Sequence, residues 1–465
     1  MKKIQVLIIG AGPGGYVAGI NLGKLGKKAL LVDKDKLGGE CLNYGCIPSK
    51  ALISTASTIH KIKKAKEIGV EAGNISVDMI KVQQWKSKLI EGFNRGIANL
   101  SKGNGVEVLS GEARFTGPNT AEVRTPSSTE TVQFENAILA TGSRPMEIPG
   151  FKIDGQSVLS SKEALELSQV PPRLLVIGGG VIGLEIGMFY AKLGSQVTVV
   201  EMMDQILPGM DIDLTQPVSR ALTKLGVQVI LKAKASGYTP KEGALSIKVS
   251  SPESEKEILA DKILLSVGRT PNTASLGLET AGVKTDPKGY IPVNARYQTS
   301  IPNIYAIGDI IGPPFLAHKA SREGVLAALS IAGEEPEPIG AIPWAIFTDP
   351  EVAFVGLNES QAKEKGMEIT TGRFPFSASG RAQTTRESDG FVKVIAEKSS
   401  GRLLGVGIVG PGASDLISEA CLALRLKATL EDIASTIHPH PTLPEAFQEA
   451  AEAAMGQAIH LLSPR

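Results

Sequence analysis

Two segments of the chain repeat one order of parts at one spacing, and this repetition restricts the fold more than any other feature. Ile4 to Ile9 is a short, nearly continuous apolar run, the pattern of a strand buried on both faces of a parallel sheet. It runs into Gly10-Ala11-Gly12-Pro13-Gly14-Gly15, a GxGxxG turn. A helical pattern follows to Lys24, and then a second strand, Lys28 to Val32, ending in Asp33. Leu174 to Ile177, the turn Gly178-Gly179-Gly180-Val181-Ile182-Gly183, a helix through Lys192 and the strand Val197 to Val200, ending in Glu201, repeat the arrangement. In both copies the acid stands 23 residues after the first glycine, Gly10 to Asp33 and Gly178 to Glu201.

Each part has a physical task. The first glycine (Gly10, Gly178) makes a tight turn, and the second (Gly12, Gly180) lets backbone approach a pyrophosphate. The third (Gly15, Gly183) lets the helix pack closely; Gly14 belongs to the same phosphate-facing turn. The helix N-terminus favours negative charge, and the acid accepts from a ribose hydroxyl. One GxGxxG is weak evidence, because glycine-rich turns arise by chance. Two complete strand–turn–helix–strand contexts point to two dinucleotides, or to one site and a decayed copy. Glu201 also bears on which dinucleotide: a carboxylate bonds a free 2′-hydroxyl and repels a 2′-phosphate. Met202, Met203 and Asp204 follow it, with no Arg to hold that phosphate, so NAD is expected rather than NADP.

At 465 residues the chain is too long for one core, and about three domains are expected. Its 49 basic and 48 acidic residues leave a net charge of +1, which makes no electrostatic case for nucleic acid or an anionic membrane as partner. No apolar run approaches the ~20 residues that span a bilayer. Met1-Lys2-Lys3 and the apolar stretch after it faintly imitate a secretory signal. That stretch leads straight into the glycine turn without a processing site, so it reads better as a first strand. A cytoplasmic location is the default expectation.

Three cysteines exclude a disulfide-stapled secreted scaffold. Two of them lie in Gly38-Gly39-Glu40-Cys41-Leu42-Asn43-Tyr44-Gly45-Cys46-Ile47-Pro48-Ser49-Lys50, directly after the first nucleotide turn. With no further Cys before Cys421, the pair cannot complete a four-ligand zinc site by itself. The nearest histidine, His60, falls in Thr58 to Lys66, which looks like a solvated helix, and no metal is expected. A CxxxxC pair beside a nucleotide turn suits a redox dithiol, because an adjacent flavin can take two electrons from a thiolate.

CLNYGCIPSK, Cys41 to Lys50, resembles the active-site segment of the pyridine nucleotide–disulfide oxidoreductases. The resemblance runs along essentially the whole chain, in the family's order. It takes in Ala140-Thr141-Gly142-Ser143, Ser266 to Asn272, Asn303 to Asp309, Leu316 to Ala320 and His438 to Glu445. It is nearest to the members that oxidise dihydrolipoyl groups. By this resemblance the first nucleotide is FAD and the second NAD. Cys41 is the interchange thiol that meets the substrate, and Cys46 is the thiol against the flavin. Lys50 lies beside the isoalloxazine, and Glu185 pairs with it near the nicotinamide. Asp309 binds the ribityl and pyrophosphate region of FAD, and Ala317 supplies a backbone donor near the ring. Thr141, Gly142 and Gly268 join the cofactor-contacting set. The chain departs from the family at Asp33, where Glu is usual; one methylene less leaves a longer or water-bridged ribose contact open.

His440 is followed five residues later by Glu445, and two of the chain's five histidines sit in one HPHP stretch. A carboxylate that orients an imidazole fixes its tautomer and raises its basicity, as a general base needs. On spacing alone both histidines read equally well as decoration of a proline-rich turn. The resemblance makes His440 the base, Glu445 its partner and His438 structural, with His440–Pro441 a candidate cis peptide. It also implies a homodimer in which each base serves the other subunit's thiols. Cys421, in the apolar pattern Leu416 to Leu426, is expected to be a buried core thiol.

The expected architecture is α/β: two Rossmann-like dinucleotide-binding domains followed by a C-terminal α+β dimerisation domain. The FAD domain is expected over 1–145 and again over 269–340, the NAD domain over 146–268 and the interface domain over 341–465. Partners implied by the resemblance are the lipoyl domains of an acyltransferase or a glycine-cleavage lipoyl carrier. An NADP-dependent glutathione-type reductase would need arginines after Glu201. A pure docking subunit would not require Cys41, Cys46 and His440 together.

Overall fold

The computed structural model describes residues 1–462. Lys2–Ile9 and Ala29–Asp33 pair in parallel, Ile8 opposite Leu31, and both side chains are fully buried. On its other edge Lys2–Ile9 pairs with the long strand Thr129–Leu139, again in parallel, with Ile8 opposite Ile138. Thr129–Leu139 has room for two partners on its far side. Its start pairs antiparallel with Thr120–Arg124 and its end pairs parallel with Ile304–Ala306. A segment from beyond residue 300 thus completes the sheet begun at Lys2. Ala29–Asp33 is almost wholly buried, whereas Glu112–Gly117 alternates buried and exposed. The parallel centre is therefore covered on both faces and the antiparallel flank on one.

The helices Pro13–Lys24 and Ala317–Ala332 pack over this sheet and touch backbone to backbone. Gly324 permits the approach, since a Cβ there would lie 2.4 Å from the Gly14 carbonyl oxygen. A second sheet is wholly parallel, in the spatial order Gln228–Ile230, Gln196–Val200, Arg173–Ile177, Lys262–Leu265, Val158–Leu159. The antiparallel strands Lys234–Lys241, Ala244–Ser250 and Glu255–Ala260 share a core with it through Leu175, Ile177, Ile247 and Val249. In both parallel sheets the glycine turn leaves the C-terminal end of a central strand, where ligands of open α/β sheets bind.

The last body is an antiparallel sheet ordered Trp344–Ile346, Glu351–Gly356, Leu403–Gly410, Phe391–Glu397, Ile369–Pro375. Helices Ala413–Leu426 and Glu445–Ala454 cover it through Ile417, Ala446 and Phe447. Cys421, expected as a buried core thiol, is only half-buried. Its helix also presents Leu422 and Leu426 outward, so the apolar pattern there does not belong to one inward stripe. Among the described residues no helix is long and apolar enough to cross a membrane.

Candidate active site

The two glycine turns have matching stereochemistry. Gly10 and Gly178 both hold φ +105°, and a Cβ would strike Ala140 O at 2.3 Å in one and Ser266 O at 2.4 Å in the other. At Gly15 and Gly183 a Cβ would fall 1.8 and 2.2 Å from the carbonyl oxygens of Gly10 and Gly178, so helix and turn meet as backbone. Gly12 and Gly180, in contrast, have nothing within 4 Å of a Cβ. Each precedes a helix that has no side-chain cap and no acid in its first turn, so the leading amides and the positive end of the helix dipole face open space. This pair of cradles suits two pyrophosphates.

The acids also correspond. Glu201 accepts the Gly179 N–H at 2.6 Å and the Met203 N–H at 2.7 Å. Asp33, despite its shorter side chain, accepts the Ala11 N–H at 2.5 Å and the Asp35 N–H at 2.8 Å. Asp309 accepts from the Ser143 hydroxyl, which receives the Arg269 Nε–H at 2.6 Å. Arg269 also pairs with Glu40, the residue before Cys41. The Gly308 N–H donates to Glu323 at 2.7 Å, and Glu323 is itself buried against Lys319 at 3.0 Å. Thr141 and Asn272 exchange hydrogen bonds of 2.8 and 3.0 Å between side chain and backbone. Gly142 and Gly268 take φ +69° and +137° nearby, and Ala317 opens a helix without a side-chain cap. Ser143, Arg269 and Glu323 were not singled out in the sequence; the first two lay inside quoted segments, but nothing local announces an ion pair 229 residues apart.

Cys46 is the first residue of the helix Cys46–Lys64, at the end that stabilises a thiolate. Both thiols are free, Cys41 half-buried and Cys46 exposed. The Cys41 S–H donates to Cys46, which holds Cys41 protonated, and burial pushes it further up. The same bond, aided by the Lys50 ammonium and working against burial, lowers Cys46 to about 7. Lys50, one turn along, pairs with Glu185 at 2.7 Å and lies 4.5 Å from the centre of the Phe347 ring. Glu185 is 5% exposed and accepts the Phe347 N–H on its second oxygen at 2.9 Å.

His440 and Glu445 form a separate group. His440 Nδ1 lies 2.7 Å from Glu445, which also accepts the Thr442 N–H at 2.6 Å. Burial works against the charge on Glu445, but the Thr442 amide and then His440 hold its carboxyl below the usual range. The His440 ring is 79% exposed, and among the described residues its Nε2 has no partner. His438 is the opposite case: 5% exposed, with both nitrogens engaged by Thr436 O and Glu419. The His440–Pro441 peptide is cis. Cys41, Cys46, Lys50 and Glu185 thus come together, while His440 and Glu445 face outward without a hydrogen bond to the thiols of their own chain. Among the described residues no three His, Cys, Asp or Glu are placed to hold a metal ion.

Residues 4–324 match the family model described as pyridine nucleotide-disulphide oxidoreductase, and residues 342–451 match its dimerisation domain. The chain is 47% identical to a dihydrolipoyl dehydrogenase of Haloferax volcanii, over 99% of this chain and 98% of that one. It is 46% identical to one of Geobacillus stearothermophilus, with the same coverage. Among solved structures, LpdA of Mycobacterium tuberculosis matches with a TM-score of 0.90 at 26% identity, over 97% of this chain and 99% of that one. The flavoprotein disulfide reductase RclA of Escherichia coli matches with a TM-score of 0.86 at 26% identity, over 96% and 99%.

Proposed function

Because the chain belongs to the pyridine nucleotide-disulphide oxidoreductase family, we propose that it carries the activity for which its relatives are named. It oxidises protein-bound dihydrolipoamide to lipoamide through Cys41 and Cys46, with FAD at the first glycine turn and NAD at the second. The observation that carries this reading is the placement of Cys46 at the first residue of the helix Cys46–Lys64, with the Lys50–Glu185 pair one turn along and Cys41 five residues before it, between the two glycine turns. When bound, FAD would supply the acceptor for the dithiol's electron pair and NAD the final hydride acceptor.

The chain's own residues handle sulfur and protons. With Cys41 and Cys46 joined, a dihydrolipoyl thiolate attacks Cys41; a mixed disulfide forms and Cys46 leaves as thiolate, the better leaving group of the pair. The second dihydrolipoyl thiolate then attacks its own sulfur in the mixed disulfide, closing the lipoyl ring and releasing Cys41. Each attack needs a proton removed and Cys41 needs one returned, which is the task of His440 with Glu445 as its orienting partner. Lys50 holds positive charge beside Cys46, and Glu185 keeps Lys50 in place. Thr141, Gly142, Gly268, Asp309 and Ala317 complete the FAD contacts, and Glu201 receives the NAD ribose.

The dimerisation-domain match over 342–451 supports a homodimer. The exposed His440 fits a site completed by the second subunit. FAD-binding segments at 1–145 and 269–340, an NAD domain at 146–268 and an interface domain at 341–465 go with this reading. So do lipoyl domains of an acyltransferase or a glycine-cleavage carrier as partners, and a cytoplasmic location, where thiols stay reduced. The test is turnover of free dihydrolipoamide with NAD by the purified protein. Cys41→Ser is expected to abolish it; a Cys41→Ser enzyme that still reduces NAD at the wild-type rate ends the proposal.

A further inference from the structure

The helices Cys46–Lys64 and Val181–Lys192 lie side by side, and each offers two polar side chains seven residues apart: Lys50 and Ser57 on one, Glu185 and Lys192 on the other. Seven residues are two turns, so each pair shares a face about 10 Å apart. Two rungs result. The first is Lys50–Glu185; the second brings Lys192 Nζ within 3.5 Å of the Ser57 hydroxyl. Ile53, Ala56, Met188 and Phe189 line a narrow cavity between them. A third element closes both rungs, the tight turn that joins Trp344–Ile346 to Glu351–Gly356. Its Phe347 N–H donates to Glu185 at 2.9 Å, and two residues on Asp349 pairs with Lys192 at 2.6 Å.

Lys192 is 4% exposed, so its charge needs this partner. The Thr348 hydroxyl, donating to Pro350 O at 2.8 Å, stiffens the turn, so a force on Asp349 reaches the Phe347 amide. We propose that the Lys192–Asp349 pair is a positioning device for the redox dithiol: it anchors the Phe347–Pro350 turn and thereby keeps the Phe347 amide on Glu185, next to Lys50 and Cys46. The inference rests on the dithiol reading given above. The charged and titratable groups around the pair are His60, Lys63 and Lys64 on the thiol helix and Glu351 on the strand Glu351–Gly356; those around Cys46 are Cys41, Lys50 and Glu185. Lys50 favours the Cys46 thiolate and Glu185 opposes it. An amide on Glu185 withdraws part of that opposition.

The test uses the full-length FAD-loaded Cys41→Ser protein, in which the Cys46 thiolate is read from its long-wavelength absorption with flavin while pH is varied. Asp349→Asn and Lys192→Met are placed in that background. Loss of the Phe347 hydrogen bond from Glu185 should raise the titration midpoint in both, by about 0.2–0.5 pH unit, a fraction of one net hydrogen bond because the bond is to Glu185 and not to the thiolate. Direct charge effects would move the two variants in opposite directions, because one removes an anion and the other a cation. Hydrogen exchange should quicken in both variants at the peptide containing Phe347, with remote peptides unchanged, and Lys192→Arg should restore protection. Opposed midpoint shifts, or undisturbed Phe347 exchange, overturn the inference. Absence of the absorption in the Cys41→Ser parent instead overturns the thiol assignment, and the exchange measurement, which needs no thiol, then decides the positioning role alone.

Discussion

Cys46 owes its acidity first to the Cys41 S–H it accepts and then to Lys50. Its thiolate is present above about pH 7 and is lost as pH falls through that value. The two-electron-reduced enzyme should therefore lose its long-wavelength absorption on acidification, with a midpoint near 7. Lys50→Met removes a stabilising cation and leaves Glu185 unpaired, so the midpoint should rise; a fall would mean that Lys50 does not stabilise the Cys46 thiolate. Glu201 gives a second single-residue test. Its carboxylate already holds two amides, so a 2′-phosphate would meet a fixed negative charge. NADH should be used far better than NADPH, and Glu201→Ala should weaken NADH by roughly 1–3 kcal/mol, measured as its dissociation constant. Equal use of both coenzymes by the wild type would contradict this.

Among the elements, the crossing of Pro13–Lys24 with Ala317–Ala332 has the least tolerance. Gly324→Val would drive side-chain atoms into the Gly14 carbonyl, so the helices must part by an ångström or more. Overpacking of this kind costs about 1–3 kcal/mol. Parting displaces Gly14 and Ala317 from one another, so FAD should be released more readily on dialysis. Retention equal to wild type would show that the crossing does not set the cradle. The glycine-turn elements were legible in the sequence, their helices ending at Lys24 and Lys192 as the pattern indicates, because strand, turn and helix each leave a local periodicity. The Phe347 amide on Glu185 was not legible, since its partners lie 162 residues apart and a backbone donor has no residue signature. The contrast between His438 and His440 was legible only through the family resemblance, since spacing alone treats the two alike. Two residues apart in one HPHP stretch, they differ only in which way the cis turn and the helix Glu445–Ala454 present them.

The whole molecule places the exposed His440 on one body and the two thiols on another, and its C-terminal body presents Leu422, Leu426 and Ile437 outward. If the base serves the second subunit, His440→Gln and Cys41→Ser homodimers should each lose about 10²–10⁴-fold or more in turnover. A mixed dimer of the two variants retains one site with both groups intact and should recover about half the wild-type activity, by the general-base argument. No recovery after verified subunit exchange would put thiol and base in one chain. The same distribution has a consequence for how the chain is made. Cys41 and Cys46 leave the ribosome five residues apart, whereas Cys421, on the helix Ala413–Leu426, follows Cys46 by 375 residues. At roughly 5–20 residues per second, synthesis separates this pair from Cys421 by on the order of 20–75 seconds. An oxidant reaching the nascent chain in that interval cannot join either thiol to Cys421. The order of translation keeps the third thiol out of the pairing before the C-terminal body exists.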